Sequence, residues 1–418
     1  MKVLVIGGGV AGITSAYVLS RQHEVTLLER NAYVGGHTNT RSVADPRNPT
    51  LPVDTGFIVC NSRNYPNFYR FLDQLGVLRQ DSDMTFGFSC EQTGLQYMGP
   101  SIAEFLKAPI NLLNPRFIAM IIEQQRFNRR ALADLNANSL AEVPLGEYLR
   151  SLGTTDYFFD NYLAPLIGSI WSAPDSNALE FPALSFLTFF RNHGMLEMRT
   201  RPQWQTIVGG SQSYVRAFLG SFKGEVRTKT EAQRVRRTQS GVELIADGRP
   251  AESFDKVVIA THADEALQLL QDPSNEELTA LGAWRYSTNH TVLHTDARVL
   301  GPNKRLWAAW NYHRRKGANR QSPVAITYYM NKLQRLAAER DYFVTLNGGD
   351  QIDPSLVLYE TVYTHPIYTP SSPRSQAELL KLNGTRNTFF CGAYMRYGFH
   401  EDAVWSALEV ARAFGMSL

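Results

Sequence analysis

Three glycines within the first twelve residues constrain this chain more than any other feature. Lys2 to Ile6 is a short apolar run rich in β-branched residues, which predicts a buried strand. It leads directly into Gly7-Gly8-Gly9-Val10-Ala11-Gly12, and a helical stretch follows from about Val10 to Arg21. After the polar turn Gln22-His23, a second strand, Glu24 to Leu28, ends on Glu29-Arg30. The order strand, glycine turn, helix, strand, acid is that of a dinucleotide site. Gly7 permits the tight turn, Gly9 lets the backbone approach a pyrophosphate, and Gly12 lets the helix pack closely on the strand. Val10 and Ala11 open the helix, whose free N–H groups favour an anion there. Glu29 stands at the end of the second strand, where a carboxylate can accept hydrogen bonds from ribose hydroxyls.

A second segment separates FAD from NAD. Glu29-Arg30 is followed by Gly35-Gly36-His37-Thr38, and a glycine pair there supplies backbone N–H groups and space beside a pyrophosphate. With this segment the chain resembles the flavin-containing amine oxidase and phytoene desaturase superfamily, whose members share the same order of motifs. The resemblance implies FAD. It also implies flavin contacts from Asp54, Thr55, Gly56 and Phe57, and an adenine contact from the backbone at Ala232. At the C-terminus it implies that Gly392 and Ala393 reach the pyrophosphate and ribityl chain, and that Phe399, His400 and Glu401 lie near the flavin. A helix opening near Asp402 would then point its N-terminus at the flavin, where a helix end stabilises negative charge.

The implied fold is α/β: a Rossmann-type, glutathione-reductase-like FAD-binding domain with an inserted mixed-sheet and helical substrate domain, amine-oxidase-like. The FAD-binding domain is expected at 1–60, 205–265 and 385–418, and the substrate domain at 61–204 and 266–384. Buried strands are expected at Asp255 to Thr261 and Thr388 to Gly392, with further strands around Leu293, Val324 to Met330 and Leu356 to Tyr363. Residues 61–138 read as helical and amphipathic, broken at Pro66, Pro100, Pro109 and Pro115.

Within the superfamily, Val53 to Val59, Ile170-Trp171-Ser172, Arg201 to Trp204 and Tyr397 to Asp402 resemble a bacterial branch of FAD-binding oxidoreductases. Sequences of that branch occur beside cyclopropane-fatty-acid synthases, and some are implicated in desaturating methyl-branched acyl chains. The resemblance therefore implies dehydrogenation of an apolar lipid or fatty acyl chain, with a hydride passing to flavin N5 while a base takes a proton. Candidates for that base are His400, Glu401, Tyr397 with the nearby Tyr394, and His193. Glu401 has an alternative role as a helix cap. Lys332 falls where amine oxidases place a lysine, but a surface lysine is the simpler reading. Phe158, Phe159, Phe186, Phe189, Phe190, Trp171 and Trp204 are enough to line an apolar tunnel, although such stretches more often form core. Two other readings stand beside the desaturase. One is a flavin amine oxidase, which Arg396 between two tyrosines disfavours. The other is a non-catalytic FAD-binding partner of a lipid methyltransferase.

Composition narrows the partners. A net charge of +3 without a dense basic block does not suggest nucleic-acid binding. Cys60, Cys90 and Cys391 are too scattered for a metal site and read as free thiols. No run reaches the roughly 18 apolar residues of a membrane span, and the first apolar stretch is a strand, not a leader. The expected location is the cytoplasm. Arg116 to Ile122, with Arg126, Arg129 and Arg130, is compatible with peripheral contact at the inner membrane face.

Overall fold

The structure, a computed structural model, describes every residue except 100–101, 141–142, 173, 198–200 and 247–249. Pro100, expected as a helix break, lies outside the described residues. A five-stranded parallel sheet gathers segments from distant parts of the chain, in the order Glu225–Arg227, Glu24–Leu28, Lys2–Ile6, Lys256–Ile259, Thr388–Phe390. Its central strands are apolar on both faces because both faces are covered. The helix Val10–Leu19 is buried at every position but Tyr17. It packs against the terminal helix His400–Ala413, which explains why its sequence is apolar all round.

A second sheet of seven strands runs Val357–Ile367, Arg285–His294, Phe343–Leu346, Ala325–Tyr329, Trp310–Arg314, Phe86–Cys90, Gln96–Gly99. Its pairs are antiparallel except for Trp310–Arg314 against Phe86–Cys90. This corrects the helical expectation for 61–138. Helices do form at Pro66–Gln74 and Pro115–Asn136, each opened by its proline, but Arg79–Asp81, Phe86–Cys90 and Gln96–Gly99 are strands. Phe86–Cys90 pairs with the adjacent Gln96–Gly99 in a hairpin and, on its other edge, with Trp310–Arg314 more than two hundred residues away, which seats the hairpin in the sheet.

Short helices, among them Ala164–Trp171 and Ala183–Asn192, bury Phe158, Phe186, Phe190 and Trp171 in the larger hydrophobic core. Among the described residues no helix is long and apolar enough to cross a membrane. The three cysteines are buried free thiols.

Candidate active site

One cavity of about 1280 Å³ runs from the glycine turn into the space beside the seven-stranded sheet. It exceeds the roughly 300–1,000 Å³ usual for a small-molecule pocket, so it has room for a dinucleotide and a second molecule. Gly7, Gly9, Val10, Ala11, Glu29, Arg30, Gly35, Gly36 and His37 line one end. Thr55, Gly56, Phe57, Ala232, Gly392, Ala393, Phe399 and His400 also line it.

The glycines have separate tasks. Gly7 has φ +104°, a backbone region that only glycine adopts without strain. A Cβ on Gly12 would stand 1.8 Å from the Gly7 carbonyl oxygen, so Gly12 is needed for packing and does not line the cavity. A Cβ on Gly9 would meet nothing within 4 Å; it would enter the open cavity itself. Gly8 was not singled out from sequence, yet a Cβ there would come within 2.9 Å of Glu29 Oε2. The uninterrupted glycine triplet was the available signal. Gly35 (φ +141°) and Gly36 (φ +58°) turn the next segment back against Gly9.

The donor set fits FAD. The helix Val10–Leu19 has no side-chain cap, so its first N–H groups stay open toward the cavity. Glu29 is held by Gly8 N (2.8 Å) and Asn31 N (2.7 Å), one donor on each oxygen, leaving further lone pairs for hydroxyls. Arg30 is paired with Glu265 across the cavity wall. The backbone at Ala232 and the pair Gly392-Ala393 line the same space. Bound there, FAD supplies the hydride acceptor.

Besides Gly12, four expected site residues do not line the cavity. Asp54 is fully buried and does not line the cavity; its carboxylate accepts from Ser211 N, Ser211 Oγ and Thr40 Oγ1. It ties the strand Asn48–Asp54 to the start of the helix Gln212–Ser221. Burial raises its pKa to about 6 against the pull of those bonds. Thr38 is also buried, with its hydroxyl shared between Tyr214 Oη (2.5 Å) and His400 Nε2 (3.1 Å). Tyr397 lies outside the cavity, packed beside Phe189, with its carbonyl taken by Trp171 Nε1. Glu401 faces away as well. Its carboxylate accepts from Asn67 N, Asn67 Nδ2 (2.7 Å) and Phe68 N (2.9 Å), capping the helix Pro66–Gln74. The capping alternative holds for the neighbouring helix, not its own. Glu401→Ala should therefore lower thermal stability by about 1–3 kcal/mol while leaving flavin reduction nearly unchanged, as calorimetry and stopped-flow absorbance can check.

His400 opens the terminal helix and does line the cavity. Its ring stacks on Phe57 at 3.5 Å between centroids, and Nε2 faces Thr38 and Tyr214. Burial pushes its pKa down to about 3, so it is a neutral imidazole, and its Nε2 is already engaged by the Thr38 and Tyr214 hydroxyls. It positions the helix end, whose first turn faces the flavin side of the cavity through Gly398, Phe399 and Ala403.

The rest of the cavity forms a chamber whose lining includes Met84, Phe86, Leu166, Ile170, Phe189, Trp204, Trp310 and Tyr328, with Ser82, Thr85, Glu104, Ser169, Arg201 and Gln203 among its polar residues. Of the aromatics expected in a tunnel, only Phe189 and Trp204 reach it; the rest are core. His193 stands at the junction, stacked on Phe189 at 3.8 Å and facing Trp204 at 6.0 Å. Its Nδ1 lies 2.9 Å from the Phe189 carbonyl oxygen, an acceptor only. Nδ1 must therefore hold the proton, which leaves Nε2 as the acceptor, with no hydrogen-bond partner among the described residues. Lys332 does not reach the chamber; it is half-buried, and its Nζ donates to the Trp307 carbonyl.

The opposite wall carries residues that the sequence did not single out. His262 and His365 join His37 with ring centroids 6.2 and 5.3 Å from it, and Tyr286 and Tyr363 stack alongside. Burial lowers the pKa of all three histidines, that of His365 to about 4. They come from three separate segments and share no spacing, so only the topology reveals them.

Comparison with known proteins gives the same picture. The family model of flavin-containing amine oxidoreductases matches residues 10–414. An L-amino-acid oxidase of Siganus canaliculatus is 23% identical over 312 residues, 70% of this chain and 56% of that protein, so the chain spans little more than half of that relative. The solved fatty acid isomerase of P. acnes superposes with a TM-score of 0.70 at 16% identity, over 99% of this chain and 98% of that one. Cyclohexylamine oxidase of Brevibacterium oxydans IH-35A does so at 0.69 and 14%, with the same coverage. These two likenesses are of fold. The family match extends over almost the whole length, from the start of the helix Val10–Leu19 through the terminal helix: the chain belongs to the flavin-containing amine oxidoreductase family.

Proposed function

We propose that the chain dehydrogenates an apolar substrate, a lipid or fatty acyl chain, in the chamber beside the flavin end of the cavity. The observation that carries this reading is the group of aliphatic and aromatic side chains in the chamber's lining, Met84, Phe86, Leu166, Ile170, Phe189, Trp204 and Trp310, beside the neutral imidazole of His193; Glu104 and Arg201 also line the cavity and supply polar contacts for a headgroup or carboxylate end. Desolvating a methylene chain against those aliphatic and aromatic side chains is favourable at about 0.8 kcal/mol per group. The pair of tyrosines that would flank an amine is not assembled, since Tyr394 lines the cavity and Tyr397 does not. A protein of the same fold named for its action on fatty acids, the P. acnes isomerase, is a precedent for such a substrate.

In this reading His193 Nε2 receives the proton, Phe189 and Trp204 hold its ring, and the apolar walls exclude water. The test is anaerobic mixing of the FAD-loaded protein with detergent-dispersed phospholipid carrying methyl-branched or monounsaturated chains, with putrescine and an L-amino acid as comparisons. The flavin absorption band should bleach with the lipid alone. Bleaching by an amine and not by lipid would replace this reading with that of an amine oxidase.

A further inference from the structure

Six of the fifteen exposed large hydrophobic side chains among the described residues fall between positions 106 and 122: Leu106, Ile110, Leu112, Leu113, Ile118 and Ile122. Ile110 is 71% exposed and Leu113 79%, values that scattered surface apolar residues do not explain when they occur side by side. The segment is built to present them. In Pro109–Leu113 only Asn111 is buried, its Nδ2 bonded to the Gln96 carbonyl, which leaves Ile110, Leu112 and Leu113 pointing outward. In the following helix, Pro115–Asn136, Phe117, Met120 and Phe127 face the core while Ile118 and Ile122 face out.

Charge accompanies this ridge. Lys107, Arg116, Arg126 and Arg129 are exposed along it, and Arg126 continues the Ile118–Ile122 stripe one turn further. Glu123, the carboxylate in the same stretch of helix, is turned to Thr155 N and Oγ1. A ridge of bulky aliphatics flanked by basic side chains that form no salt bridge among the described residues is complementary to an anionic lipid surface, with the apolar part in the acyl boundary and the basic part among headgroups.

The ridge also adjoins the cavity. Glu104 lines the cavity two residues before Leu106. Phe105 packs on Tyr97, and Tyr97 and Gly99 line the same wall. Arg201, a further cation, lines this end as well.

We propose that residues 106–122 dock the protein on an anionic bilayer, so that the chamber takes its substrate from the membrane. The part concerning delivery rests on the lipid reading above; the docking itself does not. The test is co-sedimentation of the FAD-loaded full chain with vesicles of equal parts phosphatidylcholine and phosphatidylglycerol, and with vesicles of phosphatidylcholine alone. The protein should pellet with the mixed vesicles and bind the neutral ones on the order of several hundredfold less, because each of the four basic side chains contributes about 1 kcal/mol, or about fivefold, near an anionic surface. The double variant Ile110→Asp/Leu113→Asp should stay in the supernatant with its flavin spectrum and thermal midpoint unchanged, whereas Leu278→Asp, an exposed leucine elsewhere, should still pellet.

Failure to pellet with the mixed vesicles, equal binding to neutral vesicles, or binding indifferent to the double variant overturns the proposal. So does a double variant that shifts from dimer to monomer in gel filtration, because the ridge would then be covered by a second copy. If vesicle binding is absent while detergent-dispersed lipid still bleaches the flavin, the docking surface falls and the substrate reading stands.

Discussion

Gly12→Ala should yield a chain that neither retains FAD nor stays folded at moderate temperature. The added Cβ would meet the Gly7 carbonyl oxygen at 1.8 Å and its carbon at 3.1 Å, both backbone atoms with no flexible end to yield. Gly7 cannot retreat, because its own Cα lies against Ala260, where a Cβ would come within 2.8 Å of the carbonyl oxygen. The helix Val10–Leu19 would have to lift off the strand Lys2–Ile6, opening the most completely buried layer of the protein. A cost of about 4 kcal/mol or more is expected, in the range of the severest single substitutions. Gly9→Ala is the informative contrast. With no protein atom within 4 Å of its Cβ, it should leave the apo chain's thermal midpoint unchanged, and it should weaken FAD binding by filling the space a pyrophosphate must approach. Thermal unfolding of both apo variants and an FAD titration followed by flavin fluorescence separate the two roles. Equal behaviour of the two glycines in both measurements would show that the packing and cofactor roles are not divided as the geometry requires.

What was legible in the sequence follows from which interactions are local. The turn at Gly7–Gly12, the glycine pair at Gly35-Gly36 and the helix start at His400 are set by neighbouring residues and backbone conformation, and their positions were readable directly. The place of Phe86–Cys90 in the seven-stranded sheet was not, because that depends on pairing with Trp310–Arg314 far away in the chain, although its hairpin with Gln96–Gly99 is local. The same limit applies to side chains. Asp54 and Glu401 stand in motifs that resemblance associates with the flavin, but a motif records position along the chain and not where a carboxylate points. Each is turned to the N-terminus of a neighbouring helix, where several N–H donors compete successfully for it. The wall of His37, His262 and His365 was illegible for a further reason: three segments meet there only after the two sheets are assembled.

His193→Asn should slow flavin reduction about 10²- to 10⁴-fold with FAD affinity and fold intact, the range expected for loss of a positioned proton acceptor. Asparagine is tolerated at the helix C-cap that His193 occupies, and its amide can still donate to the Phe189 carbonyl. What it cannot do is accept a proton as the His193 Nε2 does. The pH profile gives a second and independent reading. Burial pushes the His193 pKa down to about 4, so the imidazole is already in its accepting form across the neutral range. The rate should therefore be flat from about pH 6 to about pH 8. A carboxyl that borders the same small pocket as His193 is Asp402, pushed up to about 7 by burial; a rate rising through pH 7 would point to it and away from His193. Acid must be avoided in the measurement for a reason the same histidines supply. His193, His365 and His400 are neutral when folded, with pKa values near 4, 4 and 3, but take up protons near pH 6.5 once unfolded. Between those values the unfolded chain binds more protons than the folded one, so stability falls as the pH drops below about 6.5. A loss of rate there would report unfolding, whereas the plateau above it reports the base.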